Sequence, residues 1–170
     1  MLTTRALLVL VTICPAIFPQ QSPNQDALER LDRLISSSRL KGRPLVQFVV
    51  LPDPKLAEFG MTQDTLTRDV ELILRRNRVA IAQNKEDYPK AGILGITVDL
   101  VGNDLIYGVS VNAAFSEPAT VLRTGERIQA NVWHEAMLDI FGRLQISNVR
   151  DVVKEVAEKF ALDYLRANPQ

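Results

Sequence analysis

The dipeptide His134-Glu135, within QANVWHEAML, is the part of this sequence whose residue types come nearest to a catalytic motif. A zinc protease helix carries a second histidine one turn after the first, so that two imidazoles bind one metal while the glutamate acts as base. Here Leu138 occupies that position, and His134 is the only histidine of the chain. We therefore interpret the stretch as a β-strand. The strand would place His134 at the rim of the core, on the side of Ile128, Ala130 and Val132.

Other catalytic arrangements also lack support. No serine lies in a G-x-S-x-G elbow, and His134 is the only imidazole that could activate one. Asp99 and Glu135 could meet as paired carboxylates on neighbouring strands, although acidic side chains on a sheet are more often solvated surface. The sequence therefore predicts a protein that is not an enzyme and that uses no metal and no cofactor.

The amino-terminal stretch MLTTRALLVLVTICPAIFPQQSPNQ has the order of a secretory signal peptide: Arg5, an apolar run over 6–13, then small residues and prolines. We assign the signal peptide to residues 1–21 and expect an exported protein, periplasmic or secreted. Cys14, the only cysteine, raises the alternative of a lipoprotein, but Ile13 stands where such signals have a small residue. A mature chain without cysteine would exclude disulfides and thiol catalysis.

Charge and composition do not indicate a nucleic-acid partner or a membrane-spanning body. The 170-residue chain balances 20 basic against 20 acidic side chains, so no overall field attracts nucleic acid or an anionic surface. Beyond the leader, no apolar run is long enough to cross a bilayer. We expect an amphipathic helix and linker over residues 22–43, followed by one domain over residues 44–170.

Within that domain, hydrophobic periodicity predicts alternating helices and strands. PLVQFVVLP is interpreted as a central strand buried on both faces, and RVAIAQ as a short strand. Between them, Thr62 would cap an amphipathic helix, GMTQDTLTRDVELILRRN. ILGITVDLVGNDLIYGVSVNAAF predicts a hairpin, with a bulge or an edge position near Glu117 and Pro118. ERIQANVWHE is the last predicted strand, and a helix capped by Asn148 ends the chain.

These elements predict an α+β fold, a two-layer sandwich in which a four- or five-stranded mixed or antiparallel sheet carries its helices on one face. The other face would be open and polar, with Thr97, Asp99, Ser110, Asn112, Gln129 and Asn131. Simple alternation also puts Trp133 on this side, either as an exposed anchor for a partner or folded over the sheet edge or under the loop DIFGRL. Five residues form the candidate partner-binding set: Ser110, Asn112, Gln129, Asn131 and Trp133.

The layout resembles a family of small exported bacterial proteins whose activity is not established. The resemblance runs from about residue 44 to the end and rests on a D-x-E-x-x-L-R helix, a strand bearing tryptophan and a last helix ending in F-x-x-x-Y-L-x-x-N-P. The matching positions are Asp69, Glu71, Leu74, Arg75, Trp133, Phe160, Tyr164, Leu165, Asn168 and Pro169. In the order of its elements the chain is also similar to cell-envelope domains such as the amino-terminal domain of the Tol translocation protein and lipoproteins that activate penicillin-binding proteins.

That resemblance implies a domain that binds proteins and is not an enzyme. Our leading hypothesis is an exported binding domain that interacts with another cell-envelope protein through the open sheet face or a sheet edge. The alternative is a small-molecule carrier or hydrolase with a pocket between the helices and the sheet. Self-association through the sheet face, giving a homo-oligomer, is a third hypothesis.

Overall fold

The structure, a computed structural model, describes residues 40–42, 45–103 and 105–169 of the chain. The predicted signal peptide lies outside these residues, as does the predicted amphipathic helix within residues 22–43. Four strands and two helices are present in the described part. They are β1 Val46–Pro52, helix α1 Gln63–Arg76, β2 Gly92–Gly102, β3 Ile106–Thr120, β4 Arg127–Gly142 and helix α2 Val149–Ala167. Three short 3-10 turns connect them: Pro54–Phe59, Tyr88–Lys90 and Arg143–Asn148.

The four strands form one mixed sheet in the order β1-β2-β3-β4. β1 and β2 are parallel, because α1 and the loop after it return the chain to the same end of the sheet. β2, β3 and β4 follow as an antiparallel meander. The predicted α+β fold is thus confirmed, and of the predicted alternatives the sheet has four strands and is mixed.

The helix α1 follows the predicted local signals. The Thr62 hydroxyl accepts a hydrogen bond from the Thr65 amide at 3.3 Å, and the basic residues of the last turn lie at the negative end of the helix dipole. The predicted apolar stripe is buried against the sheet: Leu66, Val70, Ile73 and Leu74.

The environment of β1 differs from the prediction in two ways. RVAIAQ is not a strand of its own, since only Ile81 forms a bridge, with Val46. β1 is also not buried on both faces: Val46 and Val50 are buried, whereas Val49 is 37% and Leu51 is 52% exposed. The reason is that the helices cover only one face of the sheet, so even an unbroken apolar strand is half in contact with solvent.

The helix α2 packs over β3 and β4 with its predicted stripe inward, where Val153, Val156 and Phe160 have no exposed surface. Asn148 does not cap it with a side-chain hydrogen bond, because a 3-10 turn leads directly into the helix. At the other end, Asn168 accepts from the Gly42 amide at 2.8 Å and donates to the Leu40 carbonyl at 3.0 Å. This amide therefore fixes residues 40–42 to the end of α2.

The two helices are joined by an ion pair between Asp69 of α1 and Arg150 of α2. Two of the three guanidinium nitrogens, Nε and Nη2, donate to the carboxylate. The hydrogen bond and the charge of Arg150 hold the pKa of Asp69 below its usual value, against the opposing effect of burial. This pair links α1 to α2 within the helix layer, which lies on the side of the sheet opposite the open face.

Candidate functional site

The path of β4 is decided by a β-bulge. Phe115 of β3 is opposite Trp133, but the next residue, Ser116, is opposite Asn131, so Val132 is an extra residue in β4. The sequence predicted a bulge or an edge position near Glu117 and Pro118. Both residues are paired with β4, and the bulge lies before them, with its extra residue in the other strand.

Because side chains alternate with a period of two, one extra residue reverses the facing of everything that follows in β4. Trp133 consequently points into the core and is only 3% exposed. Its ring meets Phe160 of α2 edge-on at 5.1 Å between centroids, and its Nε1 donates to Asp163 Oδ2 at 3.2 Å. The prediction that Trp133 lies on the open polar face is wrong.

Asp163 is itself buried, at 4% exposure, and its other oxygen pairs with Arg166 Nη1 at 3.0 Å. Each carboxylate oxygen thus has a donor, as a buried charge requires. We interpret Trp133, Asp163 and Phe160 as the joint that holds α2 against β4, and not as a surface for a partner.

The bulge also reverses the facing of His134 and Glu135, the two residues that come nearest to a catalytic motif. His134 is opposite Ala114 on the open face and is exposed, instead of lying at the core rim. Glu135 points toward α2, where its carboxylate pairs with Lys159 at 2.6 Å. Asp99 lies on the open face, so Asp99 and Glu135 are on opposite sides of the sheet and do not form a carboxylate pair. Within residues 40–42, 45–103 and 105–169, no three His, Cys, Asp or Glu side chains gather where a metal ion could bind.

The other predicted open-face residues lie where alternation puts them. Asn112 donates to the Ser110 hydroxyl at 2.9 Å, and both are half-buried by their strand neighbours. Gln129 and Asn131 precede the bulge, so their predicted facing is unaffected, and both are exposed. Four of the five candidate residues are thus on one surface: Ser110, Asn112, Gln129 and Asn131.

The open face carries apolar side chains that were not predicted from the sequence. At the end of the sheet near the β2–β3 turn, Val101, Gly108 and Ile140 lie side by side on three neighbouring strands. The exposed fractions around this point are 76% for Val101, 57% for Ile106, 80% for Leu138 and 71% for Ile140. We call these four residues the apolar corner. An alternating pattern continued through LDIFG, with the bulge allowed for, would have revealed it.

The middle of the open face carries small and polar residues. Gly95 of β2 is opposite Ala114 of β3, and a Cβ added to Gly95 would meet no atom within 4 Å. On the far edge, the exposed Val49 and Leu51 of β1 add apolar surface. The open face therefore combines apolar side chains at its edges with small and polar residues between them.

Between the sheet and the helices, large side chains such as Phe115, Leu94 and Leu66 fill the space with no exposed surface. A groove of about 380 Å³ runs between α2 and the edge of β4 on the outside of the molecule. Its lining is mostly charged: Met137, Glu155, Glu158, Lys159, Leu162, Asp163 and Arg166.

The chain matches no protein-family model and none of the curated proteins. Among solved structures it is similar to a minor lipoprotein from Acinetobacter baumannii, with 14% identity, a TM-score of 0.40, and coverage of 75% of this chain and 94% of that one. It is also similar to two structures of PelC from Paraburkholderia phytofirmans, both dodecamers. The first PelC structure has 15% identity and a TM-score of 0.42, and the match covers 69% of this chain and 88% of PelC. The second has 14% identity and a TM-score of 0.39, and the match covers 67% of this chain and 83% of PelC.

None of these likenesses is close enough to assign a family or an activity, and the resemblance to the Tol domain stays a prediction. Neither α1 nor α2, the helices of the described residues, is long and apolar enough to cross a membrane.

Proposed function

We propose that this domain is an exported, non-catalytic binding module that interacts with another cell-envelope protein through the open face of its sheet. The observation that supports this most is the apolar corner. Four large aliphatic side chains lie together on one exposed surface, each more than half exposed. Contiguous apolar surface, in contrast to scattered exposed aliphatic residues, is typical of interaction sites.

Export to the envelope rests on the leader sequence, where Arg5 precedes a short apolar run and a proline-containing stretch. In that compartment the partner would be another secreted or membrane-attached protein. The polar side chains beside the apolar corner, Ser110 and Asn112, would supply the hydrogen-bonding rim that surrounds the apolar centre of many interfaces.

A flat protein surface fits the open face better than a small ligand does. Ligand pockets are concave and bury most of their ligand. Here Gly95 and Ala114 lie opposite each other and add no large side chain between the apolar corner and the exposed Val49 and Leu51 of β1. A partner that spans the sheet can contact both groups at once.

Photo-crosslinking in the living cell tests this proposal. A photoreactive phenylalanine is placed at Val101, on the open face, and in a separate variant at Leu72 of α1, which is 67% exposed on the helix layer. We expect illumination to join the Val101 variant to one specific envelope protein, identified by mass spectrometry, and the Leu72 variant to none.

Equal crosslinking from both positions would contradict a site on the open face. A Val101 adduct that contains only a second copy of this chain would contradict a different protein as partner. The matched pair matters because both positions are exposed, aliphatic and outside the core, so the variants differ chiefly in the layer that they probe.

A further inference from the structure

The outer edge of β4 carries backbone groups whose direction follows from the hydrogen-bond register. The Arg143 amide donates to the Leu105 carbonyl at 3.1 Å, directly across the end of the β3–β4 pair. In an antiparallel ladder, hydrogen-bonded residues alternate with residues whose N–H and C=O point away from the neighbouring strand. The odd-numbered residues of this part of β4 therefore bond to β3. Five residues direct their backbone groups outward: His134, Ala136, Leu138, Ile140 and Gly142.

A side chain confirms this assignment. The Ile140 amide donates to the carboxylate of its own neighbour, Asp139 Oδ1, at 2.8 Å. That contact is available only because the amide does not face β3. In the part of the chain that the structure describes, no other strand lies beside β4 on this side.

The two edges of the sheet are protected differently. At the start of β1, Val46 exchanges hydrogen bonds with Ala80 and Ala82 at 2.7 and 3.0 Å, so a following segment covers the first residue of that edge. From His134 to Gly142, β4 has no proline and no lysine, the residues that commonly protect an edge. Its outward residues include Leu138 at 80% and Ile140 at 71% exposure. A long, apolar, unpaired edge is the geometry that accepts another strand.

We propose that the occupant is a second copy of this chain, whose β4 pairs antiparallel with the first across a two-fold axis at Leu138. The straight edge runs from His134 to Gly142, between the bulge at Val132 and the following 3-10 turn, and Leu138 is its midpoint. This register alone uses the whole straight edge. Leu138 would bond to the partner's Leu138, and Ala136 to the partner's Ile140.

Charge favours the same register. The straight edge holds two acidic residues, Glu135 and Asp139. With the axis at Leu138, Glu135 is opposite the partner's Phe141 and Asp139 is opposite the partner's Met137. An axis at Met137 would put Glu135 opposite the partner's Asp139, and an axis at Asp139 would put that residue opposite itself. Like charges directly opposite destabilise a strand pair.

Pairing in this register extends the open face into a continuous eight-stranded sheet. The apolar corners of the two copies then meet at the axis, because Leu138 and Ile140 of each copy lie beside Leu138 and Ala136 of the other. The Asp139 carboxylate would release the Ile140 amide, which then donates to the partner's Ala136 carbonyl, so no backbone donor is left unpaired.

Sedimentation of the protein purified after expression of the full chain is the first test. We expect a reversible dimer across a concentration series. Leu138→Lys puts two cations opposite each other at an exposed position and should raise the dimer dissociation constant by about tenfold or more. Leu72→Lys, an exposed leucine on α1, is the matched control and should leave the dissociation constant unchanged.

Cysteine crosslinking tests the register separately. A pair of hydrogen-bonded residues has Cα atoms about 5.5 Å apart, within the range that a disulfide bridges. Under mild oxidation, Leu138→Cys should give a disulfide dimer, whereas Ile140→Cys alone should not. A mixture of Ile140→Cys and Ala136→Cys chains should give the mixed dimer. The parent chain, with Cys14 as its only cysteine, is the control.

Two results would overturn the proposal: a wild-type protein that stays monomeric at every concentration, or a dimer that Leu138→Lys leaves intact and that Leu138→Cys does not trap. Equal trapping by Ile140→Cys alone would overturn the register. The dimer proposal would also be overturned by a monomer in which the β4 edge is occupied by the amino-terminal segment of the same chain or by a different protein. A monomer would leave the proposed binding of an envelope protein standing, since each single copy presents the whole open face.

Discussion

Replacing Trp133 with phenylalanine would remove one hydrogen-bond donor while leaving an aromatic ring against Phe160. In the native structure the indole Nε1 donates to Asp163 Oδ2 at 3.2 Å, inside a joint where both side chains are buried. After the replacement, Asp163 would keep only its contact with Arg166, whose side chain is 61% exposed. A buried carboxylate oxygen would then lack a partner.

The magnitude follows from these contacts. A hydrogen bond to a charged group contributes roughly 1.5–3 kcal/mol, and the smaller ring adds a small cavity next to Phe160. We therefore expect the free energy of unfolding of Trp133→Phe to fall by about 2–4 kcal/mol. For a domain of this size that corresponds to a decrease in melting temperature of roughly 5–15 °C.

A double-mutant cycle isolates the hydrogen bond. Urea unfolding, followed by circular dichroism, is measured for the wild type, Trp133→Phe, Asp163→Ala and the double variant. We expect a coupling energy of about 1.5–3 kcal/mol between the two positions. A coupling energy near zero would refute a stabilising hydrogen bond between Trp133 and Asp163. So would native fluorescence typical of a solvated indole, a direct readout because Trp133 is the only tryptophan.

Two further predictions concern the sheet and the helix layer. A Cβ on Gly92 would lie 2.1 Å from Phe115 Cζ, so Gly92→Ala should lower the free energy of unfolding by about 1–3 kcal/mol. A Cβ on Gly95 would have no atom within 4 Å, so Gly95→Ala should leave the free energy of unfolding unchanged or slightly raised. Urea unfolding of both variants measures these changes, and equal effects would contradict the packing at Gly92. Because Arg150 lowers the pKa of Asp69, the stability from this pair is fully present above the usual carboxyl pKa of about 3.9 and is lost as the pH falls through the lowered pKa of the folded protein. Asp69→Asn should therefore be less stable than the wild type above about pH 5, with a difference that shrinks in stronger acid, and a difference independent of pH would contradict the pair.

Local signals predicted those elements whose conformation is decided within a few residues. Thr62 accepts its capping hydrogen bond where the sequence places it, and Leu66 and Val70 lie on the buried stripe that the helical period predicts. The β2–β3 hairpin follows in the same way from its alternation and its turn. In each case the pattern and the structure share one period, with no interruption.

Residues whose environment depends on another element were harder to predict. The apolar run of β1 suggested burial on both faces, but whether Val49 and Leu51 are covered depends on where the helices pack, and they pack on the other face. The short strand predicted around Ile81 is reduced to one bridge for a similar reason: the segment meets only the start of β1. Neither fact is encoded in the local sequence.

The bulge at Val132 had the largest effect on the candidate site. Strict alternation through QANVWHEAML puts Trp133 outside and His134 inside, and the structure has the reverse. A valine within a strand gives no local signal of a bulge, since the residue is favourable for regular β-structure. The information lies in other elements: Phe115 of β3 is opposite Trp133, and Phe160 of α2 contacts both the Trp133 ring and the Phe115 ring.

The buried tryptophan and the exposed apolar edge are consequences of the same extra residue. Without the bulge, the side of β4 that bears Trp133 and Met137 would face outward, and Leu138 and Ile140 would point toward α2. With it, the large aromatic residue joins the core, and two aliphatic residues become part of the open face. Among the described strands none lies beside this edge, so β4 presents there the outward backbone direction and the apolar surface that strand pairing needs. The bulge therefore both anchors β4 to the helix layer and creates the surface through which we expect this domain to associate.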